Sequence, residues 1–291
     1  MDGQQRISAI KDFFSNSLKL EGLEQWPELN GRSYLKLPSQ IKKGIDRRAI
    51  SYIVLLKESA ETTEEQMLLR QMVFERLNTG GVELSQQEVR NCLYQGPFNE
   101  LLLKLAKNTH FRKAWDVPAA TSSEDTNPSP DLLSNKFYSE MSDVETIVRF
   151  FALRHVDHYR RGMKGFLDLY MIRSRLFTEA DIRILEDVFT RTMEGAAGIY
   201  GDALFHPWDS VKHDWAGKAQ RAYADAVLVG LSRHLDSMSK LIERRETVLA
   251  ETREMFLDSP EGTFTGRANS KQDIRQRVDR FAAMLKSVII S

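Results

Sequence analysis

The sequence has very little cysteine, and it has no long apolar run. Its single cysteine, Cys92, excludes an internal disulfide and favours a reducing compartment. Because Cys92 follows Val89 by three residues, we predict a packed core thiol rather than a nucleophile. No apolar segment approaches the roughly 20 residues of a transmembrane helix, and the start lacks the basic and apolar stretches of a signal peptide. A cytoplasmic protein without a membrane partner is expected.

The chain also lacks a charge of one sign. Lys+Arg and Asp+Glu are both 41, so no global positive field argues for nucleic acid. Several chemistry-bearing motifs are missing: a Gly-x-x-x-x-Gly-Lys-Ser/Thr loop, a Gly-x-Ser-x-Gly elbow, zinc-type cysteine pairs and a His-Asn-His signature. We therefore assign no nuclease activity and predict no metal-ligand set.

The 291 residues allow one large domain or two ordinary ones, and the pattern changes along the chain. Ile50–Leu56 is the best strand candidate because its apolar residues are nearly continuous, and Tyr34–Leu37 is a short strand candidate. Residues 117–131 are rich in Pro, Ser and Thr, which predicts a flexible loop or linker. From residue 132 onward, apolar residues recur at helical spacing in four stripes, at Val144–Phe151, Ile182–Met193, Leu241–Phe256 and Ile274–Ile289. We predict an α+β, mostly α protein with domains at 1–116 and 132–291.

Polar residues with capping preference mark several predicted helix starts. Thr62 or Thr63 precedes one apolar stripe. Reciprocal capping patterns pair Ser85 with Glu88, Thr178 with Asp181, and Ser270 with Asp273.

The stretch from Met72 to Asn91 is the most distinctive part of the sequence. Leu69, Met72, Val73 and Leu77 share one helical face. Gly80-Gly81 predicts a helix stop, and the next helix starts at Ser85. Such a loop holds Arg76, Asn78 and free backbone N–H groups beside a helix N-terminus, which suits an anion. A helix–turn–helix corner without a ligand explains the same residues.

A second motif lies at the start of the chain. Asp2-Gly3-Gln4-Gln5-Arg6 leads directly into the helical spacing of Ile7, Ile10 and Phe14. A polar, glycine-containing helix start can present N–H groups and an arginine to phosphate, and a plain helix cap is the alternative. Because no strand leads into so dense a motif, we expect that leading strands are missing.

Three further groups of residues have both a functional and a structural interpretation. Two basic segments could contact phosphate or simply be solvated: Lys42, Lys43, Arg47 and Arg48, and then Arg154, His155, His158, Arg160, Arg161 and Lys164. His155 and His158, at i, i+3 on a predicted helix, could share a metal, but a surface helix is favoured because no third ligand lies at a diagnostic distance. His206 and His213 flank Trp208, which suggests a pocket or a buried aromatic junction.

The two motifs together resemble the GmrSD-type restriction endonuclease N-terminal domain family. The resemblance is carried by Asp2-Gly3-Gln4-Gln5-Arg6, by Phe74-Glu75-Arg76-Leu77-Asn78-Thr79-Gly80-Gly81 and by Gln87-Glu88-Val89-Arg90-Asn91. Less specific likenesses follow at Glu145–Phe151, Phe166–Asp168 and Asp273–Val278. The family's leading strands and its nuclease half are absent from this sequence.

The resemblance implies a partial ParB/sulfiredoxin-like domain followed by a helical domain, in bacterial modification-dependent restriction or phage defence. It implies a nucleotide-binding regulatory role, with hydrolysis left open, and an NTP of unknown identity as cofactor, with Mg²⁺ left open. The implied catalytic residues are Asp2 and Arg6. The implied nucleotide-binding residues are Gly3, Gln4, Gln5, Arg6, Arg76, Asn78, Thr79 and Gly80. DNA and a His-Asn-His nuclease domain or subunit are the implied partners. The alternatives are a DNA-binding adaptor without hydrolysis and an inactive truncated remnant.

Overall fold

The structure is a computed structural model that describes residues 4–49, 60–77, 84–260, 262–265 and 270–291. The side chains of residues 4–6 and 77 lie outside the described part. The chain divides into two compact units, residues 1–83 and 84–291. Compact units need not coincide with family domains, so the domain limits 1–116 and 132–291 stay predictions.

The first unit contains three described helices and two short 3₁₀ turns. The helices are α1 Gln4–Phe14, α2 Ser39–Asp46 and α3 Thr63–Leu77, and the turns are Pro27–Leu29 and Tyr34–Lys36. The capping prediction at Thr62 is confirmed, because the Glu65 N–H donates to Thr62 Oγ1 at 3.1 Å. The predicted strand at Ile50–Leu56 lies outside the described residues.

The strand predicted at Tyr34–Leu37 is wrong. The Lys36 N–H donates to the Ser33 carbonyl at 2.9 Å, and the Leu37 N–H donates to the Tyr34 carbonyl at 3.2 Å, which is the i→i+3 pattern of a 3₁₀ turn. The Tyr34 hydroxyl donates to Asp46 Oδ1 at 2.6 Å, so the turn is tied to the end of α2.

The second unit is built from helices and one short hairpin. Its helices are α4 Gln86–Leu93, α5 Pro97–Leu105, α6 Thr109–Ala114, α7 Pro130–Ser134, α8 Lys136–Ser139, α9 Ser142–Leu153, α10 Gly162–Ser174, α11 Glu179–Tyr200, α12 Arg221–Ser232, α13 Met238–Glu243, α14 Arg245–Leu257 and α15 Lys271–Ile290. Three 3₁₀ turns lie at Val156–His158, Gly201–Ala203 and Leu235–Ser237. The antiparallel strands β1 Trp208–Asp209 and β2 Asp214–Trp215 pair Trp208 with Trp215.

The fold class is therefore confirmed as α+β, mostly α. Helices make up 67% of the chain, and this hairpin is the only sheet in the part of the chain that the structure describes. The ParB/sulfiredoxin likeness stays a prediction. Among the described residues, no helix has both the length and the apolar composition that a bilayer crossing requires.

Helix α12 is the centre of the second unit. Every residue from Ala222 to Ser232 is buried, as expected of a helix covered on all sides. It packs against α9, α11 and α15. A Cβ at Gly230 would lie 2.6 Å from a ring carbon of Phe281, so glycine allows α15 to approach closely.

The predicted caps and helical stripes of this unit are largely confirmed. Reciprocal capping boxes are present at Ser85, Thr178 and Ser270. The stripe from Val144 to Phe151 is buried on α9. The stripe from Leu241 to Phe256 is divided between α13 and α14, which meet at Arg244.

The segment predicted as a flexible loop or linker, residues 117–131, is irregular up to the start of α7. A buried ion pair holds its middle in place, because Arg112 donates to both carboxylate oxygens of Glu124, at 2.7 and 2.5 Å. Arg112 also donates to the carbonyls of Ala106 and Pro118, each at 3.0 Å. Its role as a linker stays a prediction.

Candidate functional site

The predicted nucleotide site falls almost entirely outside the described part of the chain. Asp2, Gly3, Asn78, Thr79 and Gly80 lie outside the described residues, as do the side chains of Gln4, Gln5 and Arg6. Arg76 is described in the last turn of α3, where its side chain is exposed. The helix predicted after the first motif is present as α1. The site assignment itself stays a prediction.

The later part of the second motif is described, and it begins with a firmly capped helix. Ser85 Oγ accepts the Glu88 N–H at 3.2 Å, and Glu88 Oε2 accepts the Ser85 N–H at 2.7 Å. The Ser85 hydroxyl also donates to the Glu140 carbonyl at 2.8 Å, which joins the start of α4 to the end of α8. These bonds fix the orientation of α4, so that Gln87 and Arg90 face the interior.

Cys92 is exposed, so the prediction of a packed core thiol is wrong. Helix α4 buries Gln87 and Arg90, which are three residues apart. Cys92 lies two residues beyond Arg90, which on a helix is the opposite side. Partial desolvation of the sulfur raises the pKa of the Cys92 thiol above its ordinary value, which disfavours the nucleophilic thiolate.

Arg90 is fully buried, and its guanidinium is bonded on every side. Its Nε donates to Asp168 Oδ1 at 2.7 Å, and Nη1 donates to Glu145 Oε2 at 3.0 Å and to Gln87 Oε1 at 3.2 Å. Its Nη2 lies 3.4 Å from the Lys164 carbonyl. Arg90 therefore ties α4 to α9 and α10 through charge-assisted hydrogen bonds.

A second buried ion cluster lies further along α9. Arg149 Nε donates to Asp225 Oδ1 at 3.1 Å, with a second contact between the same groups through Nη2 and Oδ2. Arg277 Nη2 lies 3.7 Å from Asp225 Oδ2. Burial lowers the pKa of Arg277, and Asp225 only partly offsets this, because Asp225 is shared with Arg149. For Arg149, burial also acts to lower the pKa, but Asp225 and Glu145 together raise it above its ordinary value.

These two clusters bring together residues from segments that carry the family resemblance. The arginines and carboxylates come from five helices: Arg90, Glu145, Arg149, Asp168, Asp225 and Arg277. Three buried cations thus face three carboxylates. Two partly exposed cations join them: Arg221 lies 3.4 Å from Glu145 and Lys164 lies 3.9 Å from Asp168. Because each carboxylate is engaged with cations of the protein, the arrangement can position helices. Sequence reasoning missed it, although charged residues inside apolar helical stripes are a visible signal.

A cavity of about 200 Å³ lies at the surface of α10. It is lined by His155, His158, Arg160, Phe166, Leu169, Tyr170, Arg173 and Phe177. Phe166 and Leu169 are buried, Tyr170 and Phe177 are half-buried, and the four basic side chains are exposed. The cavity therefore has an aromatic and aliphatic floor and a basic rim.

The two histidines of this cavity do not lie on a helix as predicted. Helix α9 ends at Leu153, and the 3₁₀ turn Val156–His158 follows. His155 is instead stacked on Tyr170, with ring centroids 6.2 Å apart and planes at 26°. Burial, then Arg154 and His158, lowers the pKa of His155 below its ordinary value. No group of three or more His, Cys, Asp or Glu suited to a metal ion occurs among the described residues.

A second, more polar cavity of about 570 Å³ lies between α6 and the end of α11. His206 lines it, as do His110 and Glu194. His213 does not line it, so the pocket suggested around His206 and His213 contains only the first of them. His206 Nδ1 lies 2.6 Å from the Ala216 carbonyl, and Lys113 pairs with Asp202 at 2.7 Å. Two of its polar side chains, His206 and Lys113, are thus engaged with other groups of the protein.

The described part of the chain is a helical protein with balanced buried ion clusters and one aromatic, basic cavity. Comparison with known proteins identifies its first segment. The family model of the GmrSD restriction endonuclease, N-terminal domain, matches residues 1–95. The resemblance is thereby confirmed for that segment, which contains both motifs and ends just after α4. No curated protein and no solved structure matches the chain.

Proposed function

We propose that this chain is a component of a restriction or phage-defence system and that it binds a nucleoside triphosphate through residues 2–6 and 76–80. The observation that carries the proposal is the family match over residues 1–95, which covers both motifs. Arg76 supports it, because its side chain is exposed in the last turn of α3, two residues before Asn78 of the second motif.

The chemistry of the motif residues suits phosphate. Arg6 and Arg76 would donate charge-assisted hydrogen bonds to phosphate oxygens. The first N–H groups of α1 have no partner within the helix, and α1 begins at Gln4, inside the first motif. Asp2 would place Mg²⁺ or a water, and hydrolysis of the nucleotide depends on that role. Gly3, Gln4, Gln5, Asn78, Thr79 and Gly80 would complete the binding loop.

Calorimetric titration with ATP, GTP and CTP, with and without Mg²⁺, tests this function. Arg6→Ala should weaken binding by about 1.5–3 kcal/mol, the scale of a hydrogen bond to a charged group. Asn78→Ala should weaken binding while the melting temperature barely changes. Lys43→Ala is the matched control, because Lys43 is an exposed cation of the same unit outside both motifs.

Absence of nucleotide binding by the unmutated protein would overturn the proposal and favour an inactive remnant. Equal affinity of Arg6→Ala and the unmutated protein would remove Arg6 from the site. A variant of Asn78 that melts earlier yet binds normally would reduce residues 76–80 to a structural corner.

A DNA-binding adaptor is the second candidate function. It is favoured by the basic side chains of residues 154–164, of which His155, His158, Arg160 and Arg161 are exposed. Contacts with phosphates would make DNA affinity fall steeply with salt. Any cleavage would require a His-Asn-His nuclease partner, because the sequence has no such motif. A DNA affinity that does not change between low and high salt would argue against the adaptor.

A further inference from the structure

Arg253 of α14 is held by the two tryptophans of the hairpin. Its guanidinium carbon lies 4.9 Å from the ring centre of Trp208 and 5.9 Å from that of Trp215. The two indoles meet edge to face with ring centroids 5.4 Å apart, so the guanidinium is contacted from two directions. These cation–π contacts supply no hydrogen-bond acceptor, whereas the guanidinium carries five N–H donors in one plane.

The donors of Arg253 have no acceptor in the part of the chain that the structure describes. Nε is buried without a hydrogen-bond partner, and no described carboxylate forms an ion pair with the guanidinium. Of the three guanidinium nitrogens, only Nε is both buried and unpartnered, so the two Nη groups lie at the surface of this half-buried side chain. A native structure rarely leaves such a group unsatisfied, and each case calls for an explanation.

The sequence of α14 shows why the helix itself provides no counter-charge. The residues three and four positions from Arg253, which share its helical face, are Leu249, Ala250, Phe256 and Leu257. All four are apolar, so no carboxylate of α14 has the spacing of a helical ion pair with Arg253.

The two carboxylates of the hairpin are engaged with the hairpin's own backbone. Asp209 Oδ1 accepts two N–H groups of the turn, at 3.0 and 3.1 Å. Asp214 Oδ1 accepts the Trp215 N–H at 2.8 Å. These bonds hold the turn, and the positive charge of Arg253 keeps its place beside them without an ion pair.

We propose that Arg253 binds a phosphate group, with its Nη groups donating to two of the phosphate oxygens. A planar guanidinium matches phosphate through two parallel N–H···O bonds, which are strong because both partners are charged. The indoles fix the side chain before the ligand arrives. The choice of phosphate over carboxylate rests on the proposed function, which names nucleotides and DNA as ligands.

A structural contact between α14 and the hairpin is the competing explanation. Removal of Arg253 would lower stability under both explanations, so stability alone does not distinguish them. Binding of phosphate at this side chain does.

Nitrogen-15 NMR of the full chain observes the group directly. Titration with inorganic phosphate at constant ionic strength should shift the Arg253 Nε–H resonance, which is assigned by its absence from the spectrum of Arg253→Lys. The shift should saturate, and it should exceed the shift caused by acetate, because phosphate carries close to two negative charges at neutral pH. No shift, a shift that does not saturate, or an equal response to acetate would overturn the inference.

Variants then separate charge, geometry and packing, with the indole N–H resonances of Trp208 and Trp215 as the readout of phosphate binding. Arg253→Met keeps an unbranched side chain without charge and should abolish saturable binding, with its melting temperature measured in parallel. Arg253→Lys keeps the cation over the rings but lacks the planar fork, so it should melt like the unmutated protein and bind roughly tenfold more weakly. Unchanged phosphate affinity of either folded variant would leave only the structural contact and overturn the inference.

Arg221→Lys is the matched control. Arg221 also lies over an aromatic ring, 5.7 Å from the centre of Phe137, but it pairs with Glu145 at 3.4 Å. Its replacement should leave phosphate affinity unchanged. An equal loss in this control and in Arg253→Lys would mean that the effect is not specific to Arg253, and would contradict the inference.

A short DNA duplex decides the source of the phosphate. Tighter binding of the duplex than of inorganic phosphate, with a salt dependence that is flatter by about one ion in Arg253→Met, supports the inference and identifies nucleic acid as the source. Saturable phosphate binding without a response of these resonances to the duplex supports the inference with a free phosphate compound as the source.

Failure of this inference and failure of the proposed function are distinguishable. Arg6→Ala should leave the phosphate response of Arg253 unchanged, and Arg253→Met should keep nucleotide binding at residues 2–6 and 76–80. Loss of the Arg253 response in Arg6→Ala would place the phosphate at the motif site and overturn the inference.

Discussion

The charged side chains on the two sides of helix α10 have opposite surroundings. On one side, Asp168 is buried and bonded to Arg90, whose guanidinium also meets Glu145. On the other side, Arg173 is exposed at the rim of a cavity whose described lining contains no carboxylate. Arginine therefore has two different surroundings, one on each side of α10.

The basic residues of this chain thus fall into two groups, buried and exposed. A buried arginine that pairs with carboxylates of the protein can position helices, but its hydrogen-bond donors are already engaged. An exposed arginine is solvated, so its interactions with the protein are worth little. The buried arginines should thus affect stability far more than the exposed ones.

The largest loss of stability is expected when the buried ion cluster around Arg90 is broken. Arg90→Ala would leave Asp168 and Glu145 without their buried partner, so the free energy of unfolding should fall by about 3–5 kcal/mol. Urea unfolding measures this. Arg183→Ala is the control, because Arg183 is exposed and lies 3.9 Å from the exposed Glu179, so its loss should cost at most about 0.5 kcal/mol.

A double variant distinguishes charge balance from packing at Arg90. If Arg90→Ala destabilises by leaving Asp168 without its buried partner, then Arg90→Met with Asp168→Leu should recover part of the loss. These two buried charges are removed together, and Glu145 keeps Arg221 at 3.4 Å. A double variant no more stable than Arg90→Ala would show that packing, and not charge balance, dominates at this position.

Asp143 is a buried carboxylate whose charge is poorly compensated, so removing that charge should stabilise the protein. Burial raises the pKa of Asp143 to about 6, outweighing the hydrogen bond from the Val144 N–H and the attraction of Arg112. The folded protein then binds more protons than the unfolded chain between about pH 4 and 6, so stability falls as pH rises through that window and stays lower above it.

Asp143→Asn should therefore stabilise the protein by roughly 2–4 kcal/mol above pH 7 and by little near pH 4. Denaturant unfolding of both proteins across this range measures the difference. A gain that does not change with pH would mean that the titration of Asp143 is not its cause.

A smaller effect is expected at the start of α4, which positions Arg90. Ser85→Ala removes the helix cap and the hydrogen bond to the Glu140 carbonyl, and should cost about 1–2 kcal/mol. Ser270→Ala is matched to it, since Ser270 has the same reciprocal cap at the start of α15. Thermal melting should show the greater loss for Ser85→Ala, and an equal loss would mean that the contact with Glu140 contributes nothing.

Local features of this fold could be predicted from sequence, because they depend on residues close together in the chain. Ser85 and Glu88 are three residues apart, and their capping box is visible in the sequence. The stripe of Val144, Ile147, Val148 and Phe151 likewise predicted a buried helical face, which is confirmed.

The ion clusters and the cavity could not be predicted in the same way. Arg90 reaches Asp168 and Glu145 across separations of 78 and 55 residues, and no local pattern specifies that pairing. The spacing of His155 and His158 predicted one helical face, but the turn after α9 places His155 against Tyr170 of α10 instead. The motif residues Asp2 and Arg6 stay predictions.

The most direct test of the contrast between the two sides of α10 is urea unfolding of Arg90→Ala and Arg173→Ala side by side. We predict that Arg90→Ala lowers the free energy of unfolding by about 3–5 kcal/mol, because it leaves buried carboxylates without their buried partner. Arg173→Ala should lower it by at most about 1 kcal/mol, because the Arg173 side chain is exposed. Equal losses for the two variants would contradict the contrast.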